Sequence, residues 1–382
     1  MKIGFVADVH VGNHRKGGGV MTAGLNTRAR VGLDVLDRAV ATALDLDCAA
    51  FVVLGDLVHY SGIEPQVLAG LQQVLDVLGM KKVVLKGNHD AVSDEVGDHA
   101  LGPLKPVAEV VDDSRVVSIG DVDLLCVGFQ TGAASDWLPG EIERLATESS
   151  GDVRVLCIHL GVSDSKTIYY LDGAEDSINV EVLADECLRN NVRWVLAGNW
   201  HNPQVWHRHK TVDGHLREVN VIQCGTLCPS RSLDNHVGAG AMVVLDLEAG
   251  RAVPVNIPGP RFVRGSGSDE VVRGVLALAR HPPLAQLLSI DMILEDENRD
   301  AAVTKVRDAL SSIGVHPDHV KIACRGNQTK ALQAVERAAA AARDAHDEDV
   351  VVRDYLANMP MPAGVEREDV AALVVSLLQG SR

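Results

Sequence analysis

The 382-residue chain carries 36 lysines and arginines against 52 aspartates and glutamates, a formal net charge of −16 at neutral pH. With 46% hydrophobic and 23% charged residues it has the composition of a soluble globular protein, long enough for two or three domains, and no apolar run approaches the ~18 residues of a bilayer span. The acidity argues against a general polyanion coat, and an aromatic content of 3% leaves few surfaces on which unpaired bases could stack.

The chain opens on Lys2–Ala7, a short apolar run that reads as a buried strand and is followed at once by Asp8 and His10. No basic segment with a long apolar stretch precedes it, so a cytoplasmic protein is expected. Further strands are predicted at Phe51–Leu54, Val83–Leu85, Val116–Ile119, Val122–Val127, Val153–Ile158 and Trp194–Ala197. Between them Leu33, Leu36, Val40 and Leu44 recur at helical spacing, as do Val67, Leu71, Leu75 and Leu78. This alternation predicts a layered α/β domain. From Val205 to Val255 the helical spacing stops, and Val219–Gln223 and Ala241–Leu247 suggest a β-rich closing sheet. Pro254, Pro258, Gly259 and Pro260, followed by Gly265-Ser266-Gly267-Ser268, mark a boundary.

Beyond it, helix-like Glu270–Ala279, strand-like Met292–Leu294, helix-like Ala301–Ile313 and strand-like Val320–Ala323 predict a small α+β domain. An alanine-rich helix is expected over Lys330–Ala345, and a last helix carries Val370, Leu373, Val374, Leu377 and Leu378 on one face. The expected domains are 1–260, 261–326 and a helical tail, 327–382. The seven cysteines are odd in number and scattered, and only Cys224 and Cys228 are close, a poor zinc signature. A reducing compartment fits them. Residues 1–260 hold 21 basic and 34 acidic side chains, so most of the excess negative charge lies in the first domain.

Five strand-like runs end in residues able to bind metal: Asp8-Val9-His10, Gly55-Asp56-Leu57-Val58-His59, Gly87-Asn88-His89-Asp90, His159 and Gly198-Asn199-Trp200-His201. Sites in open α/β folds form beyond the carboxyl ends of strands, so these residues can converge in one cleft. Taken singly each has an ordinary explanation: a turn for Asn-His-Asp, a cap for Asp8, a satisfied core histidine for His159. Together, in this order and each at a strand end, they point to a metal centre. Carboxylate, carboxamide and imidazole donors suit manganese, iron or zinc rather than magnesium. Such a centre clamps a phosphoryl group and activates water for in-line displacement. His89 is then a candidate general acid for the leaving oxygen, with Asp90 expected to orient it.

These motifs resemble the calcineurin-like metallophosphoesterase family, whose pattern is D-x-H, G-D-x-x-H, G-N-H-D/E, a lone H, then G-H-x-H. The resemblance implies a layered α/β/β/α sandwich and two divalent metal ions, with manganese expected. It implies a first ion held by Asp8, His10, Asp56 and His201, and a second by the bridging Asp56 with Asn88, His159 and Asn199. His89 corresponds to the family's catalytic histidine. Asp8-Val9-His10-Val11-Gly12, Gly55-Asp56-Leu57-Val58-His59 and Cys224-Gly225-Thr226-Leu227 further resemble the SbcD-like DNA double-strand-break repair nucleases, where the histidine at position 59 assists substrate placement. That resemblance implies a cap domain, a homodimer, DNA as substrate, and a tail docking on a coiled-coil ABC-type ATPase (SbcC-like) through Val370, Leu373, Val374, Leu377 and Leu378. Arg15, Lys16 and the run His207-Arg208-His209-Lys210 are candidate phosphate contacts. A phosphatase or cyclic-nucleotide phosphodiesterase with the same site, and a catalytically weakened scaffold subunit, remain the alternatives.

Position 199 is asparagine where the family pattern has histidine. An amide oxygen is a weaker donor than imidazole for a transition metal, so Asn199→His is expected to tighten binding of the second ion. Manganese titration of the two proteins tests this, and identical affinities at both sites would reject it.

Overall fold

The computed structural model describes residues 1–14, 20–93, 97–164, 177–229, 239–280, 288–294 and 298–326. Arg15, Lys16, the helix expected over 330–345 and the stripe Val370, Leu373, Val374, Leu377 and Leu378 lie outside these. The chain divides into two compact units, Met1–Phe262 and a second beginning at Val263.

The first unit begins with β1 (Lys2–Val6), the two-residue strands β2 (Met21–Thr22) and β3 (Leu25–Asn26), and α1 (Thr27–Asp45). Then come β4 (Cys48–Val53), α2 (Pro65–Leu75), β5 (Lys81–Leu85), β6 (Glu109–Val111), β7 (Ser114–Ile119) and β8 (Val122–Val127). Next are α3 (Ala134–Glu148), β9 (Val153–Ile158), β10 (Gly161–Ser163), β11 (Ser177–Asn179), α4 (Val180–Arg189) and β12 (Trp194–Ala197). It ends with β13 (Gln204–Val212), β14 (His215–Gln223), β15 (Ala241–Asp246) and β16 (Arg251–Asn256).

Two six-stranded mixed sheets result, one in the order β16-β15-β1-β4-β5-β6 and the other β13-β14-β12-β9-β8-β7. The strands that end in candidate ligands, β1, β4 and β5 in one sheet and β9 and β12 in the other, run parallel to their neighbours within each group. Their carboxyl ends therefore point the same way within each sheet. Alternation along the strands separates the faces. Ile3, Phe5, Ala50, Val52, Val83 and Leu85 pack against Leu124, Val155, Cys157 and Leu196 between the sheets. Val6, Phe51, Val53 and Val84 face α1 and α2, while Leu125, Leu156, Ile158 and Val195 face α3 and α4. Both faces of each sheet are covered, which is why these strands read as continuous apolar runs. The layering is α/β/β/α.

Local sequence sets the helix starts. The Asn26 side chain accepts from the Ala29 amide at 2.8 Å and caps α1, whose Leu33, Leu36 and Val40 lie on the buried face. Pro65 opens α2 at a position where its missing N–H costs nothing. Leu78, assigned to that helix by spacing, lies beyond its end and is 92% exposed. The predicted closing sheet is also divided. β13 and β14 extend one sheet, with β14 parallel to β12, whereas β15 extends the other antiparallel to β1 and β16 follows antiparallel to β15. Linear sequence shows strand character but not which sheet edge a strand joins.

The second unit contains a three-stranded sheet in the order β17-β18-β19, formed by β17 (Arg261–Ser266), β18 (Leu288–Leu294) and β19 (Lys321–Gly326), with α5 (Ser268–Ala277) and α6 (Arg299–Ser312). Its core gathers Val263, Val271, Val275, Ile290, Met292, Val306 and Leu310. Gly265 and Ser266, read as part of a boundary, belong to β17. Among the described residues no helix is long and apolar enough to cross a membrane.

Phe5 is fully buried between the sheets on the strand that leads to Asp8 and His10. Phe5→Ala is expected to destabilise by about 3–5 kcal/mol through lost transfer energy and the cavity left behind. Urea unfolding measures this, and an unchanged midpoint would show that the layer does not stabilise the fold in this way.

Candidate metal centre

The carboxyl ends of five strands deliver the seven candidate ligands. Asp8 and His10 follow β1, Asp56 follows β4, Asn88 follows β5, His159 follows β9, and Asn199 and His201 follow β12. The backbone is bent hard to do so: Asp8, His10, Asp56 and Asn199 all have positive φ, between 50° and 79°. Side chains other than glycine rarely adopt this conformation, and aspartate and asparagine tolerate it better than most. The glycines that precede three ligands have different reasons. Gly55 turns the chain at φ 90°. At Gly87 a Cβ would stand 2.3 Å from the Asp56 amide nitrogen, and at Gly198 one would stand 2.3 Å from the Leu54 carbonyl oxygen. These two permit close approach of neighbouring loops rather than a left-handed turn.

Asp56 occupies the middle of the centre. Its Oδ2 lies 3.6 Å from His10 Nε2 and its Oδ1 3.4 Å from His159 Nε2. On one side His10 Nε2 and His201 Nε2 face each other at 3.1 Å, with Asp8 Oδ1 4.0 Å from His201. On the other, His159 Nε2 stands 3.0 Å from Asn88 Oδ1. The donor atoms of Asp8, His10 and His201 lie within 4.8 Å of one another, as do those of Asp8, Asp56 and His159. Asp8 Oδ2 and His10 Nδ1 are buried without a hydrogen-bond partner among the described residues. An ionised buried oxygen left this way is costly, and a cation among these donors relieves it. The residues fit a pair of divalent ions, with Asp56 presenting one oxygen to each side.

Surrounding contacts orient these donors. The His159 Nδ1–H donates to the Leu54 carbonyl, which leaves Nε2 directed at Asp56 and Asn88. The Asn199 amide donates to Asp8 Oδ1 at 3.1 Å. Burial pushes Asp8 up to about 6, against the pull of His201 and His159. Asp56 is also pushed up by burial, but His159, His10 and His89 together hold it below the usual carboxylate range. Burial lowers His159, yet the charge and hydrogen bond of Asp56 prevail and bring it to about 9. Burial lowers His10 well below its ordinary value.

His89 stands beside this group. Its amide donates to Asp56 Oδ1 at 2.9 Å, and its ring Nδ1–H donates to the His59 carbonyl at 2.9 Å, leaving Nε2 for a leaving oxygen. Sequence reasoning gave the orienting task to Asp90, and the structure assigns it elsewhere. The fully buried Asp90 carboxylate accepts from the Val58 amide at 3.0 Å and the Gly87 amide at 2.9 Å, so it ties together the loops after β4 and β5. Burial, assisted by Asp56, raises Asp90 to about 7. His59 contributes its carbonyl to His89 and its ring to a stack, 3.8 Å from His14 and 5.4 Å from His89 between centroids.

Three supporting residues were given no role from sequence, although Gly225 and Thr226 lie in the Cys224-Gly225-Thr226-Leu227 stretch. Thr226 Oγ1 donates to the Asp8 carbonyl at 2.7 Å, and its amide donates to the His201 carbonyl. Gln223 donates to the Ala197 and Gly198 carbonyls and accepts from Val162. Gly225 passes so close to His201 that a Cβ would lie 2.9 Å from its carbonyl oxygen. The signal was a polar residue ending an apolar strand, followed by Cys-Gly-Thr. The basic run on β13 is neutralised locally: Arg208 pairs with Glu181 at 2.7 Å and Lys210 with Asp185 at 2.8 Å. A phosphate there would have to displace a carboxylate.

A two-sheet sandwich with Asp, Asn and His donors gathered at the strand ends defines a metal-dependent phosphoesterase. The pattern of the calcineurin-like phosphoesterases matches residues 1–221, and the chain belongs to that family. No curated protein matches it in sequence. Among solved structures it is similar to a Staphylococcus aureus protein assigned as a 5'-nucleotidase, at 14% identity and TM-score 0.37, covering 67% of this chain and 53% of that one. A dimetal phosphatase from Danio rerio is similar at 13% identity and TM-score 0.38, covering 64% of this chain and 92% of that one. The Pseudomonas putida nuclease MPE is similar at 18% identity and TM-score 0.27, covering 66% of this chain and 86% of that one.

Metal must compete with a proton on His159, which sits near 9, and below about 6 with one on Asp8 as well. Metal uptake at pH 7 is therefore expected to release about one proton, and affinity to fall as pH drops through 6. Calorimetric titration in buffers of different ionisation enthalpy reads the release. Binding heats that do not depend on the buffer would contradict it.

Proposed function

We propose that this phosphoesterase is a DNA nuclease subunit of the SbcD-like kind, hydrolysing phosphodiester bonds with two manganese ions. In this reading it works in the cytoplasm, as a homodimer, with a coiled-coil ABC-type ATPase resembling SbcC. The observation that carries it is the link from His59 to His89. His59, to which the SbcD-like resemblance gives substrate placement, holds the ring of the candidate general acid through its carbonyl, and its own ring lies alongside. In this arrangement contact of a bulky substrate with the His59 loop is transmitted to the proton donor.

When bound, the metals supply charge neutralisation at the phosphoryl oxygens and an activated water. The chain's own groups do the rest. His59 O fixes His89 with Nδ1 protonated, so Nε2–H can protonate the departing sugar oxygen. Asp56 receives the His89 amide and so fixes the acid relative to the ligands. Asp90 locks the loops that carry Asp56 and His89 to each other. The second unit, an α+β fold following the site-bearing one, is read as the cap, and Val370, Leu373, Val374, Leu377 and Leu378 as the ATPase-docking stripe.

Incubating the full chain with manganese and either linear duplex DNA or a p-nitrophenyl phosphodiester tests the reading. DNA degradation is expected, reduced about 10²–10⁴-fold by His89→Ala. Turnover of the small substrate alone would replace the nuclease with a small-molecule phosphodiesterase. No turnover of either, even with the ATPase added, would leave a scaffold.

A further inference from the structure

His14, His59 and Tyr60 form an aromatic ledge beside the metal centre, and none of the three is among the seven candidate ligands. The His14 and His59 rings stack with centroids 3.8 Å apart and 10° between planes. The Tyr60 ring meets His59 edge-on at 4.3 Å and lies 6.4 Å from His14. The His59 ring in turn lies 5.4 Å from that of His89, nearly parallel to it at 17°. Backbone bonds hold the ledge in place. Val11 donates to the Leu57 carbonyl and His59 to the Val11 carbonyl, which ties the loop after β1 to the loop after β4. The His14 Nε2–H donates to the His10 carbonyl at 3.0 Å, and at Gly12 a Cβ would stand 3.3 Å from the His59 Cβ, so the two loops pass close together. Among the described phenylalanines, tyrosines and tryptophans, Tyr60 alone is exposed, at 39%.

We propose that this ledge seats an unstacked nucleobase of the nucleotide departing from the scissile phosphate, with Tyr60 as the stacking ring, so that the enzyme selects single-stranded or frayed ends over intact duplex. The inference deepens the nuclease reading and rests on it, including the general-acid role given to His89. The location follows from that role. His89 serves the leaving oxygen, and the ledge adjoins His89 through His59, so it lies on the side of the departing nucleotide. The chemistry follows from the side chains. The ledge contains no lysine or arginine to grip a phosphate, whereas its rings offer a flat face to the flat face that every base has. Rings fixed in advance by the two tied loops lose little freedom when a base arrives. In a duplex the faces of a base are covered by its neighbours. A base must therefore leave the stack to reach Tyr60, and that costs least where it is already unpaired.

The test is fluorescence anisotropy of short single-stranded oligonucleotides on the manganese-loaded full chain carrying His89→Asn. That change suppresses turnover, while the new amide can still donate to the His59 carbonyl. One oligonucleotide carries its bases and the other is abasic throughout. The base-bearing strand is expected to bind about tenfold more tightly. Adding Tyr60→Leu should remove most of that advantage without changing the affinity for the abasic strand, and Tyr60→Phe should keep it. Equal affinities for the two strands, an advantage that survives Tyr60→Leu, or one lost in Tyr60→Phe would overturn the proposal. The comparison of the two strands needs no variant at Tyr60, and circular dichroism checks that the variants are folded. With His89 intact, a frayed end should be hydrolysed faster than a blunt duplex, and Tyr60→Leu should narrow the difference; equal rates on the two would refute the selection. The same assays separate the ledge from the nuclease reading. DNA hydrolysis with no base advantage in binding would remove the ledge and leave the nuclease. A base advantage that depends on Tyr60, with no DNA hydrolysed, would remove the nuclease and leave the ledge as a seat for another nucleotide ester.

Discussion

The whole site turns on one buried carboxylate. Asp56 follows β4, and its two oxygens are directed toward His10 on one side and toward His159 and the His89 amide on the other. Four loops from two sheets thus meet at a side chain that is 2% exposed. Burial opposes its ionisation, and the surrounding imidazoles reverse that effect, so the charge persists where water cannot reach it. Asp8, a few ångströms away and equally buried, is pulled down by His201 and His159 less than burial pushes it up, and one of its oxygens has no partner among the described residues. Two carboxylates in one dry place, one stabilised and one not, are an unfinished electrostatic arrangement that divalent cations complete.

The strain at the strand ends belongs to the same arrangement. Positive φ at Asp8, His10, Asp56 and Asn199 costs conformational energy at four of the seven candidate ligands, and the surrounding framework offsets it. Asp90 binds two backbone amides across two loops, Thr226 holds the Asp8 and His201 loops together, and Gln223 clamps the Gly198 turn. These side chains bond to backbone groups of the site's loops. They make the ligand positions a property of both sheets rather than of any one loop.

The candidate ligands were legible because strand-end chemistry is local: an apolar run, in three cases a glycine, then a donor. Five such points in order sufficed to place Asp8, Asp56, Asn88, His159 and His201 in one centre. What was not legible depends on contacts distant in sequence. Asp90 adjoins His89 in the chain, and adjacency suggested that it orients the ring, yet a residue's neighbour in a turn points away and finds amides instead. The ring is held by a carbonyl 30 residues earlier. A backbone carbonyl has no sequence signature, because every residue has one. For the same reason β13–β14 and β15–β16 were readable as strands while their distribution between two sheets was not.

The net charge of −16 changes meaning once the structure distributes it. Among the described residues, Asp8 and Asp56 are the acidic members of the candidate donor groups, where histidines outnumber them, so the interior of the site is rich in nitrogen rather than acidic. Outside it, cations on the β13–β14 hairpin have acidic partners, Arg208 with Glu181, Lys210 with Asp185 and Arg217 with Asp213, and Arg193, just before β12, pairs with Glu218 of β14. Exposed pairs of this kind contribute little to stability, but they cancel the local field that would attract a phosphate backbone. Among the described residues, attraction for a phosphoester is therefore expected where the imidazoles gather. There the sign of the potential is set by protons on His159 and by bound metal, not by lysine and arginine. An acidic protein can act on an anionic substrate under this condition, because the cations that draw the substrate in are those the two carboxylates are placed to hold.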